Sequence, residues 1–436
     1  MGLDFWNKDI ETMSRVDIEA LQLKHLKALV SRLYDSSPLY HGRMRQQGVR
    51  PEDIQTLDDI RKLPFTKKSD LRDNYPDKLF VVPQSEISRY HVSSGTTGKP
   101  TVVGYTRRDL DNWAESLARS FRSFGMGDED VLQVSNGYGL FSGGLGMHYG
   151  AEKLGAAVLP AGTGNTNRQV DLMLDLPVTA IACTPSYMIH IAEVADKRGI
   201  NLHNDTHLRY GILGAEPWSE SMRRHIQDRT GIKAQNCYGA SELSGPLFTE
   251  CSEQQGIHVW GDLCLIEILD KESGEPVAEG EEGEMVVTML QREAMPIIRY
   301  RIGDISSLLW EKCNCGRTHP RLQRLTGRVD DMLIVRGINV FPSQVEHVIG
   351  ELEFLSAHYQ ITLDAHNFMD RMQVEVELDE RCLTDDMVEL GKMARSLDNR
   401  LKDVLNIKAE VKLLLPGTLP RFEGKSKRVI DNRVYD

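Results

Sequence analysis

Val131-Leu132-Gln133-Val134, Ala156-Ala157-Val158-Leu159, Ala180-Ile181-Ala182-Cys183 and Tyr210-Gly211-Ile212-Leu213 are four short apolar runs, and they decide the fold. Each reads as a strand, whereas the intervening segments, such as Tyr187 to Arg198, carry helical periodicity. Alternation of this kind predicts parallel strands with crossover helices on both faces, an α/β class. Downstream, Cys264 to Leu269 and Glu284 to Thr288 read as two more strands joined by a Gly- and Glu-rich turn. Upstream, Ile18, Leu21, Leu26, Leu29, Val30 and Leu33 form a helical stripe within residues 9 to 34, ending before Asp35-Ser36-Ser37-Pro38.

A second composition begins after Gly327. Ser343-Gln344-Val345-Glu346 spells a capping box for a helix reaching about Leu352. Val374, Val376 and Leu378 alternate as a strand, residues 384 to 404 read as a helix, and Val411 to Leu415 as another strand. These elements predict a small α+β domain of roughly a hundred residues. The polar connection Thr326-Gly327-Arg328-Val329-Asp330 divides the 436 residues into 1–326 and 327–436, in keeping with a chain too long for one core.

Composition narrows the function classes. The net charge of −12 argues against a nucleic-acid partner, which demands a basic face. No apolar run reaches the length needed to span a bilayer, and the N-terminus lacks a signal-peptide pattern. Seven cysteines in so long a chain do not form a disulfide framework, which points to a reducing cytoplasm.

Directly after the strand-like run Ile87 to Val92 stands Ser93-Ser94-Gly95-Thr96-Thr97-Gly98-Lys99-Pro100. Its glycines let backbone N–H groups approach a ligand, and its hydroxyls and ammonium add donors, the chemistry of a phosphate-gripping loop. It is not a Walker A loop: Gly-x-x-Gly-Lys is too short, and Pro100 stands where that motif has Ser or Thr. Four further segments suit an ATP site. Leu213-Gly214-Ala215-Glu216-Pro217 offers bare backbone to a flat base. In Tyr238-Gly239-Ala240-Ser241-Glu242 the ring can stack on a purine and the carboxylate can hold Mg²⁺. Asp304 suits ribose hydroxyls, and Gly424-Lys425 sets a cation in a basic tail. Taken singly, each is also a capped turn, a packed tyrosine or a solvated charge; together and in this order they point to one site.

Cys251, His258, Cys313 and Cys315 make a complete structural zinc set with no open position, although Cys-x-Cys is tighter than the usual ligand spacing. His319 and Cys264 are reserve ligands. The alternative is four thiol and imidazole groups without an ion.

In this order, the loop Ser93 to Pro100, Tyr238 to Glu242, Tyr300 to Asp304, Gly327 to Glu346 and Gly424-Lys425 resemble the motifs of the adenylate-forming acyl-CoA synthetases. Tyr138 to Gly146, Gly214 to Trp218 and Phe341-Pro342 resemble the phenylacetate–CoA ligases more narrowly. The resemblance runs from about Tyr34 to Arg433 and implies a large N-terminal domain and a small mobile C-terminal one. It implies a reaction of ATP, an aryl acid and coenzyme A giving aryl-CoA, AMP and pyrophosphate.

The roles implied follow the motifs. Ser93, Ser94, Gly95, Thr96, Thr97, Gly98 and Lys99 grip the phosphates, and Glu242 binds Mg²⁺. Gly214 to Pro217, Asn236, Cys237, Tyr238, Gly239 and Ser241 surround the nucleotide, while Asp304 and Arg328 hold the ribose. Lys425 sits between the α-phosphate and the substrate carboxylate, Asp330 is the hinge, and Gly337 lines the thiol channel. Asn136, Tyr138, Gly139, Phe141, Gly144, Gly214 and Ala240 form a flat slot for the acid. Asn136 departs from the family, which commonly has an aromatic residue there; a polar group selects a hydroxylated or amino-substituted ring, or else faces away. Two other readings stay open: transfer of AMP or the acyl group to an acceptor other than coenzyme A, and a non-catalytic nucleotide-binding protein. The oligomer is open too, with a homodimer as one form.

Overall fold

The computed structural model describes residues 4–92, 101–140, 142–328, 333–335, 338–366, 369–423 and 426–433. Ser93 to Lys99, Phe141, Asp330, Gly337 and Lys425 lie outside these.

The four apolar runs form the strands Val131–Val134, Ala157–Leu159, Ala180–Cys183 and Tyr210–Gly214. Lys233–Ala240 extends the sheet in parallel and Gly245–Thr249 closes it antiparallel. In space, Val131–Val134 lies between Ala157–Leu159 and Ala180–Cys183, so the strand order departs from the chain order there. The crossovers include the helices Gly143–Leu154, Pro185–Lys197 and Glu220–Thr230. Helices on both faces explain why the runs are continuously apolar. Alternate side chains serve different cores: Ala180, Ala182 and Ile212 join one apolar cluster, and Ile181, Cys183 and Leu213 another.

A second, antiparallel sheet orders Cys264–Leu269, Gly283–Met289, Tyr300–Ser306 and Gly327–Arg328. The first two residues assigned to the small domain therefore pair with the large one, with Arg328 opposite Asp304. Beyond them, a four-stranded sheet orders Glu410–Leu414, Met369–Leu378, Leu355–His366 and Val429–Asp431. Its own core takes Val345 and Val348 from the helix Pro342–Gly350, and Leu397 and Leu401 from Met387–Leu405. No helix among the described residues is long and apolar enough to cross a membrane.

Two local expectations need correction. The stripe over residues 9 to 34 is broken into Lys8–Glu11 and Arg15–Ser36, because the Ser14 side chain caps the N–H of Asp17; Pro38 then opens a new helix at its first position. The capping box at Ser343 and Glu346 does not form. Phe341 is the N-cap, its N–H bonds Gln344 Oε1 at 2.9 Å, and Ser343 Oγ donates to the Thr326 carbonyl.

Candidate active site

Three parallel strands lead from their carboxyl ends, on the same edge of the sheet, into loops where open α/β sheets place their ligands. Tyr210–Gly214 runs into Ala215 to Pro217, Lys233–Ala240 into the turn Ser241–Leu243, and Val131–Val134 into the loop carrying Asn136 to Ser142. Glycine is obligatory at two of these ends. A Cβ on Gly214 would lie 2.2 Å from the Cys237 carbonyl oxygen, and one on Gly239 only 1.7 Å from that of Gly245. Ala215, at φ +70°, occupies the left-handed region that favours glycine and turns the chain away at the strand end.

Tyr238, Asp304 and Arg328 come together here although far apart in sequence. Tyr238 donates to Asp304 Oδ2 at 2.6 Å, and Arg328 Nη1 donates to Oδ1 at 2.6 Å. Burial, followed by the neighbouring Asp304 carboxylate, pushes the Tyr238 phenol well above its ordinary value, so it stays a donor. Asp304 is thus oriented from both sides. Asn236 is engaged by the Trp218 indole N–H at 3.0 Å, and burial pushes the Cys237 thiol up to about 12. Glu242 is buried in its turn, and the buried Arg292 braces it by donating to the Glu242 carbonyl and to Ser244 Oγ. A carboxylate beside the strand ends is the ligand type that Mg²⁺ shared with phosphates takes.

On the acid side, the loop folds back on itself. The Gly144 N–H bonds the Gly137 carbonyl, and a Cβ on Gly144 would lie 2.6 Å from that oxygen. Ser142 Oγ lies 3.3 Å from Ser241 Oγ, so this loop rests on the turn that follows Ala240. Tyr138 is half-buried and Gly139 exposed. The Tyr138 hydroxyl is 3.2 Å from His148 Nδ1, whose Nε2 is 3.0 Å from Glu152 Oε1. Since Glu152 can only accept there, His148 donates from Nε2 and accepts from Tyr138. Asn136 Oδ1 is buried with no hydrogen-bond partner among the described residues.

The Glu216 side chain reaches the tail of the small domain: Oε1 accepts from the Ser186 N–H at 2.7 Å, and Oε2 from the N–H and Oγ of Ser426 at 3.1 and 2.8 Å. It receives the residue that follows Lys425. Arg292, His148 and Glu152 had no signal in the sequence, since none belongs to a motif.

The four metal-ligand candidates do converge. Their ligand atoms lie within 4.8 Å of one another, with Cys251 Sγ 3.6 Å from Cys313 Sγ and Cys315 Sγ 3.4 Å from His258 Nε2. Tetrahedral zinc with Zn–S near 2.3 Å would set sulfurs about 3.8 Å apart, so the residues fit the ion. The thiol–thiol contacts lower the Cys313 thiol and raise that of Cys251, and burial lowers His258, as expected of ligand groups crowded together without an ion. The reserve ligands are spoken for. His319 accepts from the Gly261 N–H and donates to the Ile10 carbonyl, and Cys264 Sγ faces the Trp260 carbonyl.

Comparison with known proteins places these features in context. Residues 33–291 match the AMP-binding enzyme family, and residues 337–433 match the AMP-binding enzyme C-terminal domain. The phenylacetate-coenzyme A ligase of Thermus thermophilus is 44% identical, covering 98% of this chain and 99% of that protein. Among solved structures, 2-hydroxyisobutyryl-CoA ligase in its postadenylation state, in complex with R3-HIB-AMP, superposes with a TM-score of 0.92 at 28% identity, covering 98% of this chain and 92% of that one. The same ligase with 2-HIB-AMP and CoA in the thioesterification state, 30% identical over 98% and 92% of the two chains, reaches only 0.73. The arrangement of the two parts of this chain therefore follows the postadenylation form.

Proposed function

The chain belongs to the AMP-binding enzyme family, and from that premise we propose that it joins an aryl or arylacetic acid to coenzyme A through an acyl-adenylate. What carries the reading is the Tyr238–Asp304–Arg328 arrangement at the strand ends of a chain similar over its whole length to a phenylacetate-coenzyme A ligase. The substrate carboxylate attacks the α-phosphorus of ATP, and the bond to the leaving pyrophosphate breaks. The thiolate of coenzyme A then attacks the carbonyl carbon, and AMP leaves with the bonding pair.

Ser94, Thr96, Thr97 and Lys99 hold the β- and γ-phosphates, within the backbone of Ser93, Gly95 and Gly98. Tyr238 stacks on adenine, and Gly214, Ala215, Pro217, Asn236, Cys237, Gly239 and Ser241 line the nucleotide. Asp304 and Arg328 hold the ribose, and Lys425 bridges the reacting oxygens. Glu242 would hold Mg²⁺, which supplies charge neutralisation on the phosphates. Cys251, His258, Cys313 and Cys315 would hold a structural zinc. Domains 1–326 and 327–436 divide the work, because one arrangement cannot both exclude water from the adenylate and admit a bulky thiol. Asp330→Pro, by stiffening the hinge, is expected to slow thioester formation more than adenylation, measured on the two half-reactions separately. The proposed setting is the cytoplasm, in the breakdown of aromatic acids.

Asn136, Tyr138, Gly139, Phe141, Gly144, Gly214 and Ala240 form the acid slot. The unpartnered Asn136 Oδ1 gains a hydrogen bond from a ring hydroxyl or amino group. Hydroxyphenylacetates are therefore expected to exceed phenylacetate in kcat/KM, and Asn136→Ala to cut that preference about tenfold. The deciding experiment screens phenylacetate, hydroxyphenylacetates, benzoates and indoleacetate for AMP and CoA-thioester formation. A fatty acid outpacing every aromatic acid would overturn the slot, and pyrophosphate release without CoA consumption would indicate another acceptor.

A further inference from the structure

Glu193, on the helix Pro185–Lys197 of the large domain, meets an imidazole and a guanidinium of the small one. His358 Nε2 donates to Glu193 Oε1 at 2.7 Å, and Arg421 Nε donates to Oε2 at 3.3 Å. His190, one helical turn back, approaches the same carboxylate at 3.6 Å. The three principal side chains are largely shielded, at 17, 12 and 20% exposed. Burial alone would raise the Glu193 carboxyl, but the hydrogen bond from His358, the approach of His190 and the Arg421 guanidinium hold it far below the usual range.

Arg421 is itself rigid. Its other two nitrogens grip Glu377, which also accepts from the N–H groups of Gly417 and Leu419, so the start of the tail is anchored within the small domain. Farther along, Glu423 rests against Gly164, where an added Cβ would come within 2.8 Å of its carboxylate. Ser426 then donates twice to Glu216. Large-domain carboxylates thus hold the tail at residues 421 and 426, and Lys425 falls between these two points. A short span fixed at both ends confines what it carries, and precise placement of a reacting group decides much of its rate contribution.

We propose that Glu193 is a positioning residue for the first half-reaction: by clamping His358 and Arg421 it docks the lysine-bearing tail in the adenylating pose, and the clamp must open before thioester formation. The inference rests on the function proposed above. Because Arg421 keeps Glu377 when Glu193 is changed, the cross-domain contact can be removed while the small domain stays intact.

The test uses the full chain with Glu193→Gln, an isosteric change, and His358→Gln as a second variant. Acid-dependent pyrophosphate–ATP exchange is expected to fall about tenfold in Glu193→Gln and by less in His358→Gln, as for loss of a shielded, charge-assisted pair. Thioester formation from preformed acyl-adenylate should stay unchanged or rise. Parallel loss of both half-reactions, or no change in either, overturns the clamp. If the wild-type chain shows no acid-dependent exchange, the function proposed above has failed, and small-angle scattering decides the clamp independently. A shift of Glu193→Gln toward less compact conformers then supports it, and a profile identical to wild type overturns it.

Discussion

Lys425→Ala is expected to slow acyl-adenylate formation about a hundredfold while leaving thioester formation from preformed adenylate nearly unchanged. Negative charge shifts from the carboxylate and builds on the α-phosphoryl oxygens as the new P–O bond forms. An ammonium bridging those atoms gains more in the transition state than in the ground state. Loss of one such preorganised donor costs about 3 kcal/mol, which is the hundredfold stated. The effect should be one of charge and not of docking, because Arg421 and Ser426 keep their partners in the variant. Rapid-quench measurement of acyl-AMP, beside the reaction of isolated acyl-AMP with coenzyme A, separates the two half-reactions. Equal loss in both would mean that the lysine does not act at the step assigned to it.

The sheet could be read from the sequence because its central strands are covered on both faces. Ala180–Cys183 is buried at every position, and nothing but an uninterrupted apolar run meets that demand. Helix ends were harder to read, since capping depends on which polar side chain wins a local competition. Ser343 and Glu346 have the spacing of a capping box, but Gln344 takes that place. Glu346 instead accepts from the Ser219 N–H across the domain interface and from Arg428 within the small domain, pairings that no local pattern encodes.

The site divides along the same line. Gly214 and Gly239 were legible because close backbone approach restricts the residue type at each position separately. Asp304 was legible as an acid in a motif, whereas its fixing by Tyr238 and Arg328 follows from strand register and a contact between two sheets. Glu193 gave no signal. Its partners His358 and Arg421 are 165 and 228 residues away, and on its own helix it reads as an ordinary polar position. Glu216 stands in a motif, but its contacts with Ser186 and Ser426 join residues 30 and 210 positions away, which no local pattern encodes.

Removing the proposed zinc, by chelation or by Cys313→Ala, is expected to lower the stability of the large domain by about 4 kcal/mol. The figure follows from chain entropy. An ion joining Cys251 to Cys313 closes a loop of 62 residues, and a cross-link of that span restricts the unfolded chain by about this amount. The loop contains the strands Cys264–Leu269, Gly283–Met289 and Tyr300–Ser306, the last of which carries Asp304. His258 pairs with Arg321 in a short sheet just before the connection to the small domain, so the loss should be felt where the ribose site is built. Calorimetry of the purified, chelated and Cys313→Ala proteins, with metal content measured on each, checks the expectation. Chelation should destabilise the wild-type chain and leave the variant where it is. Melting that is indifferent to chelation, in a protein that carries no metal as purified, would mean that the four groups are packed thiols and imidazole and that burial alone holds this corner of the domain together.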